Sequence, residues 1–312
     1  MRRLTYESLR DGKTEGMTAG DGGPAWRRPR RLMLAGALLL IVVLFIVTRS
    51  TTSRHPAPGT TVFAVGQRVV LRFVHSAGSV RLRPGPGGQV SITEHRNGFT
   101  DAIHTRYRQQ GDVITVTVSV ENGLPTATWV DFAVAVPQEA TAEVAVAAGT
   151  LTATGLTGNF TLKDTNGSIS AANLSGAVAL QTASGSISTR KVSAQVSAIT
   201  GNGTITTTST RLRGHSFMRA QNGTINFHGS LEPGCRALFT NTNGAIGVTL
   251  PSDSSVLVDA RTPGGSINSE FRALRVVSNS DGRAAAGRLG RDPSAHLRIR
   301  TRAGSIDLNH RT

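Results

Sequence analysis

The chain has little of what most enzymes and nucleic-acid binders use. Of 312 residues one is cysteine, Cys235, so neither an intramolecular disulfide framework nor a cysteine-based zinc site can be built. Aromatic residues make up 4%, which leaves no stacking platform for single-stranded nucleic acid. Lysine is confined to Lys13, Lys163 and Lys191, so the net charge of +15 is almost entirely arginine. Apolar content of 38% is low for a large globular core and suits a fold that buries small, regularly spaced side chains. No two histidines stand in a His-x-x-x-His pair. The eight (His55, His75, His95, His104, His215, His228, His296 and His310) read as scattered, solvent-facing residues. Carboxylates are equally sparse. Between Gly149 and Gly265 only Asp164, Glu232, Asp253 and Asp259 occur, and they share no repeat phase, so no acid/base pair or calcium cage is expected. Gly-x-Ser-x-Gly is absent. The chain reads as a non-enzyme without a cofactor, with a polysaccharide-active β-helix enzyme kept as an alternative.

Charge is also missing from Leu32–Thr48, the longest apolar run. As a helix these seventeen residues cover roughly 26 Å, the short end of a bilayer span. Arg27, Arg28, Arg30 and Arg31 precede the run, and Arg49 and Arg54 follow it. The heavier basic flank predicts a cytoplasmic N-terminus and an extracytoplasmic bulk. A cleaved signal peptide is the alternative, but thirty-one residues stand before the run and no Ala-x-Ala site follows it. The expected organisation is a disordered basic tail (1–31), a membrane helix (32–48), a linker (49–61) and one elongated β domain (62–312). Outside the cell, the basic domain would not meet nucleic acid.

What the sequence does have is a repeat. Gly-x-(Ile/Leu) recurs at Gly149, Gly167, Gly185, Gly203, Gly223, Gly244, Gly265 and Gly304, with spacings of 18, 18, 18, 20, 21, 21 and 39. The last gap reads as two units with a degenerate member between. Each unit carries a second half of the form Leu-x-Gly-x-apolar-x-apolar. Examples are Leu156–Leu162 and Leu174–Leu180, and Leu212-Arg213-Gly214 leads into Phe217. The apolar residues alternate with Ser, Thr and Ala, the period of a strand with one buried face. Asn166, Asn202, Asn222 and Asn243 precede their glycines and mark tight corners. One unit has too few apolar side chains to bury alone, whereas stacked units close a continuous narrow core. The fold expected is an all-β solenoid of 18–21-residue coils. Asn-Gly between alternating runs is also a hairpin signal, which leaves an antiparallel meander or barrel as the alternative. Upstream strands are expected at Val69–Val74, Gly78–Leu82, Val90–Thr93, Val113–Val120 and Trp129–Val136.

The segment Val134–Pro137, the serial glycine units from Gly149 to Ile267 and the closing phrase Leu297–Ile306 resemble the putative-adhesin family of bacterial β-strand-repeat proteins. The resemblance covers roughly Phe132 to Leu308. It implies a surface-exposed β-solenoid behind a membrane anchor and supplies no catalytic residues. Arg272–Pro293 departs from the pattern. Two features remain. Cys235, in a strand-like run, reads as a buried thiol. Arg298, Arg300 and Arg302 alternate with Leu297, Ile299 and Thr301, which puts three guanidinium groups on one strand face; Arg81 and Arg83 form a smaller pair. Such a stripe could hold anionic envelope polymers. Its bland reading, favoured by the overall arginine bias, is a charged edge that discourages strand pairing. The partners expected are the lipid bilayer through Leu32–Thr48, anionic envelope polymers or surface proteins, and further copies of the chain.

Overall fold

A computed structural model describes residues 59–121 and 128–311. The tail, the membrane helix and nearly all of the linker lie outside these residues. Among the described residues no helix is long and apolar enough to cross a membrane.

Among the described residues twenty strands form one sheet system. They are β1 (Thr60–Ala64), β2 (Val69–Pro84), β3 (Gln89–Asn97), β4 (Ile103–Gln110), β5 (Val113–Val120), β6 (Trp129–Val136) and β7 (Glu139–Thr154). Next come β8 (Thr157–Ala172), β9 (Ser175–Ser184), β10 (Ile187–Arg190), β11 (Ser193–Leu212), β12 (His215–Leu231), β13 (Arg236–Asn243) and β14 (Ile246–Pro251). The last are β15 (Val256–Thr262), β16 (Ile267–Ser269), β17 (Leu274–Asn279), β18 (Gly282–Leu289), β19 (Ala295–Ala303) and β20 (Ile306–Arg311). The upstream expectations are met, with Val69–Val74 and Gly78–Leu82 fused into β2. Strand β4 was not anticipated, because only Ile103 and Tyr107 of its eight side chains are buried and its alternation is masked by polar residues.

The middle of the molecule is a parallel β-solenoid. Strands β2, β7, β8, β9/β10, β11 and β12 stack coil on coil, and equivalent residues face one another. Leu151, Ile169, Ile187, Ile205, Ile225 and Ile246 form one buried column, each paired with the next. Gly149, Gly167, Gly185, Gly203, Gly223 and Gly244 form another, which begins upstream at Gly78. A Cβ on any of these six would lie 1.7–2.0 Å from the carbonyl oxygen of the preceding coil's glycine. No side chain fits there, which explains the repeat glycine by close backbone approach as well as by its torsion. The asparagines before the glycines stack on the outside. Asn222 Nδ2 donates to Asn202 Oδ1 at 2.8 Å, and Asn243 Nδ2 to Asn222 Oδ1 at 2.9 Å. A second corner column has positive φ at Gly155, Asn173, Lys191 and Ser209.

Antiparallel pairing, the alternative architecture, is confined to the two ends. At one end β2, the first coil in the chain, lies second in space, covered by the later β5 and β6. Strands β4, β3 and β1 then add antiparallel. The other end repeats the device in mirror order. The final coil, β19/β20, lies between β13/β14 and β15/β16. Gly304 therefore sits between Gly244 and Gly265 in the glycine column. This corrects the reading of the 39-residue gap: no degenerate coil occupies it. Most of the irregular Arg272–Pro293 segment forms an antiparallel hairpin, β17/β18, whose second strand pairs with β15.

Candidate functional site

Outward positions along the stack before β12 are small or polar apart from a few such as Val74 on β2 and Ile199 on β11, and at β12 their character changes. One in-register row reads Thr161, Ala179, Ser197, then Phe217, Leu238, Arg298 and Asp259. The neighbouring row reads His215, Arg236, His296 and Leu257. Strand β18 places Ala286 opposite Asp259 and Arg288 opposite Leu257. These residues enclose an open groove of about 720 Å³.

Phe217 was expected in the core as the apolar residue after Gly214. It is instead 36% exposed, while Ser216 and Met218 point inward. Ser216 fits because its hydroxyl donates to the Arg213 carbonyl at 2.9 Å and accepts from the Val196 N–H at 3.0 Å. The coil keeps the register of the repeat: Ser216 takes the inward place of Phe160, Val178 and Val196, and Phe217 takes the outward place of Thr161, Ala179 and Ser197.

Arg298, Arg300 and Arg302 project from one face of β19, as their alternation with buried Leu297, Ile299 and Thr301 requires. The edge-protection reading is corrected, because β19 is flanked on both sides by β13 and β15. Arg300 is anchored: its Nη2 lies 2.5 Å from Asp259 Oδ2, and its Nη1 donates to the carbonyls of Asp259 and Ile299. Arg261 Nε reaches Asp259 Oδ1 at 3.3 Å, and Arg298 Nε stands 3.7 Å from Oδ2. Burial alone would raise the Asp259 carboxyl, but Arg300 and Arg261 outweigh it and hold the pKa below its usual value. One ionised carboxylate thus serves three arginines, with Arg236 and Arg288 close by on the groove wall. Local charge is strongly positive. Arg81 and Arg83 lie on β2, several coils away, and do not join this face.

Other candidates do not converge. In the strand register none of Asp164, Glu232, Asp253 and Asp259 stands opposite another, and among the described residues no group of three metal-ligating side chains occurs. Cys235 is fully buried, and burial, followed by the charge of Glu232, pushes its thiol up to about 11. The reading of solvent-facing histidines needs one correction, His75, which is 2% exposed. Its Nε2 bonds the Val130 carbonyl at 2.8 Å, and burial depresses its pKa.

His75 belongs to an inner column, three residues before the column glycines, that is polar in all coils but those of Val146 and Ala220 and that sequence reasoning missed. Thr200, Asn241, Thr301 and Thr262 occupy the same place. Each donates to the glycine carbonyl of the preceding coil in space, at 2.8–3.3 Å. Thr182 Oγ1 has no such partner, and neither has Asp164. It is 3% exposed, neither oxygen has a hydrogen-bond partner, and burial pushes its carboxyl up to about 6 against the nearby Asn166 N–H. The column is sealed from solvent and serves the fold. The signal for it was present as polar residues recurring at the glycine-minus-three phase.

A parallel stack with this glycine register matches one known family over residues 71–309, well over half of the chain. The chain belongs to the Toastrack DUF4097 family. No curated protein matches it. Three solved structures are similar to this Toastrack chain. A "putative cell adhesion protein" of Clostridium sporogenes is 9% identical, covering 82% of this chain and 100% of its own, with a TM-score of 0.26. A "putative lipid binding protein" of Parabacteroides distasonis is 12% identical, covering 81% and 98%, with a TM-score of 0.46. A "putative adhesin" of Bacteroides fragilis is 10% identical, covering 81% and 97%, with a TM-score of 0.27. Within the Toastrack repeats of this chain, the arginine face and the groove beside it are the place where the regular small-residue surface gives way.

Proposed function

We propose that this chain is a single-pass envelope protein, held in the bilayer by Leu32–Thr48 with its N-terminus in the cytoplasm. Its Toastrack domain is displayed outside and binds anionic envelope polymers without chemical turnover. The observation that carries the reading is the position of Arg298, Arg300 and Arg302. They stand on an interior strand, where charge is not needed to block strand pairing; Arg298 and Arg300 gather with Arg261 around the Asp259 carboxylate, and Arg236 and Arg288 line the groove beside them. A guanidinium cluster at a half-buried surface holds phosphate or carboxylate groups through paired N–H donors.

The test is retention of the full chain, in nanodiscs, on an insoluble anionic envelope fraction. Replacing Arg298, Arg300 and Arg302 by Ser should lower retention at least tenfold, and 0.5 M salt should abolish it. Unchanged retention would overturn the reading. Self-association is a second reading, favoured by β17, which pairs with β18 on one side and leaves Val276 and Val277 42% and 49% exposed. Sedimentation of the full chain over a hundredfold concentration range decides it: a constant monomer ends that reading.

A further inference from the structure

Binding of polyanions through arginine alone does not require an apolar surface, yet the groove has one. Phe217, Leu238 and Leu257 project outward from three of its coils, and the equivalent row positions upstream of Phe217 are Thr161, Ala179 and Ser197. The solenoid therefore folds without apolar residues there. Exposing an aromatic ring on an otherwise small, polar face costs solvation and is offset when a ligand covers it. Arg236, Arg288 and Arg298 rim the same groove, with His215 and His296 beside them. Asp259, the acid in the lining, is already engaged by Arg300 and Arg261. A volume of about 720 Å³ falls within the range of small-molecule sites.

We infer that the groove between β12, β13, β19, β15 and β18 seats one amphiphile, a phosphate head on a hydrocarbon chain. The head lies against Arg236, Arg288 and Arg298, and the chain lies over Phe217, Leu238 and Leu257. This rests on the anion-binding reading above, which it narrows by adding the hydrocarbon. A free phosphate and a lipid headgroup share the arginine chemistry; only the second fills the apolar floor.

The probe is a diazirine-bearing dodecyl phosphate, photolysed with the full chain in zwitterionic nanodiscs, followed by peptide mapping. Labelling is expected on the peptides holding Phe217, Leu238 and Leu257. It should be displaced by unlabelled dodecyl phosphate and resist the same concentration of inorganic phosphate. Ala286→Trp, which adds bulk at an exposed position facing the groove, should lower labelling at least tenfold, as should the pair Phe217→Ser and Leu238→Ser. Equal displacement by inorganic phosphate would overturn the inference, leaving a head-only anion site. Labels confined to Leu32–Thr48, or labelling unchanged in both variants, would also overturn it. The paired variant keeps Arg298, Arg300 and Arg302, so lost labelling with retained polymer supports the groove. Intact groove labelling in a protein that holds no polymer would sink the polymer reading alone.

Discussion

The centre of the stack and its two ends solve different problems. From β7 to β12 every coil meets a near copy of itself, so one small set of residues serves each time. Glycine stands where backbones touch, and isoleucine or leucine where coils overlie. At the ends no copy follows, and the exposed ladder must be closed by strands of other kinds. There the chain turns antiparallel and brings in paired charge. Glu94 is 5% exposed, accepts from Arg96 Nε at 2.8 Å and bonds the Tyr107 hydroxyl, whose ionisation burial and Glu94 oppose. Regularity is therefore a property of having neighbours on both sides.

The sharpest way to break this contrast is to place a methyl group in the glycine column. Gly185→Ala puts Cβ 1.7 Å from the Gly167 carbonyl oxygen at a φ of +148°, whereas Gly87→Ala meets nothing within 4 Å. The first should cost more than ~5 kcal/mol, or prevent folding, and the second less than ~0.5 kcal/mol, by denaturant titration. In the cap, Glu94→Ala strands Arg96, which is 14% exposed, and should cost about 4 kcal/mol in the same measurement.

Asp164 reverses the sign. Its carboxyl is raised to about 6 in the fold from 3.8, so the folded state holds the proton more tightly. Its favourable contribution is complete below pH 4 and is lost as pH rises through 6. Above that the ionised, unpartnered carboxylate costs about 3 kcal/mol. Asp164→Thr, which copies Thr182 and Thr200, should therefore stabilise the protein by about 2–3 kcal/mol at pH 7 and do little at pH 4, as read from melting curves at both pH values. The smallest effect expected is in the outer asparagine ladder. Asn222→Ala removes two exposed amide bonds and should cost no more than about 0.5–1 kcal/mol.

The stack was legible because its chemistry repeats in the chain. The Gly-x-Ile phrase fixed the coil length, the buried column and the register before any strand was seen. The ends were not legible, since β4 shows two inward apolar residues and the Arg272–Pro293 hairpin follows no period. Nor could spacing reveal that β19 enters between two earlier coils, because any coil with isoleucine at the right phase fits beside any other. For the site, the arginine alternation was visible on β19, but Phe217 was assigned to the core because the apolar residue was followed and not the phase: counted from Gly214, the inward place falls on Ser216. Its partners Arg236, Leu257 and Arg288 come together only through the crossed coil order and the hairpin.

That crossed order has a consequence for synthesis. The layer made of Ala295–Arg311 leaves the ribosome after the coils it joins, yet it bonds Arg236–Asn243 on one side and Val256–Arg261 on the other. A nascent chain stopped at Pro293 lacks an inner floor of the building and not its roof, so its upper storey has nothing to rest on. Insertion of this layer, through the slow closure of a long-range contact, is the step that locks the coils on either side of it.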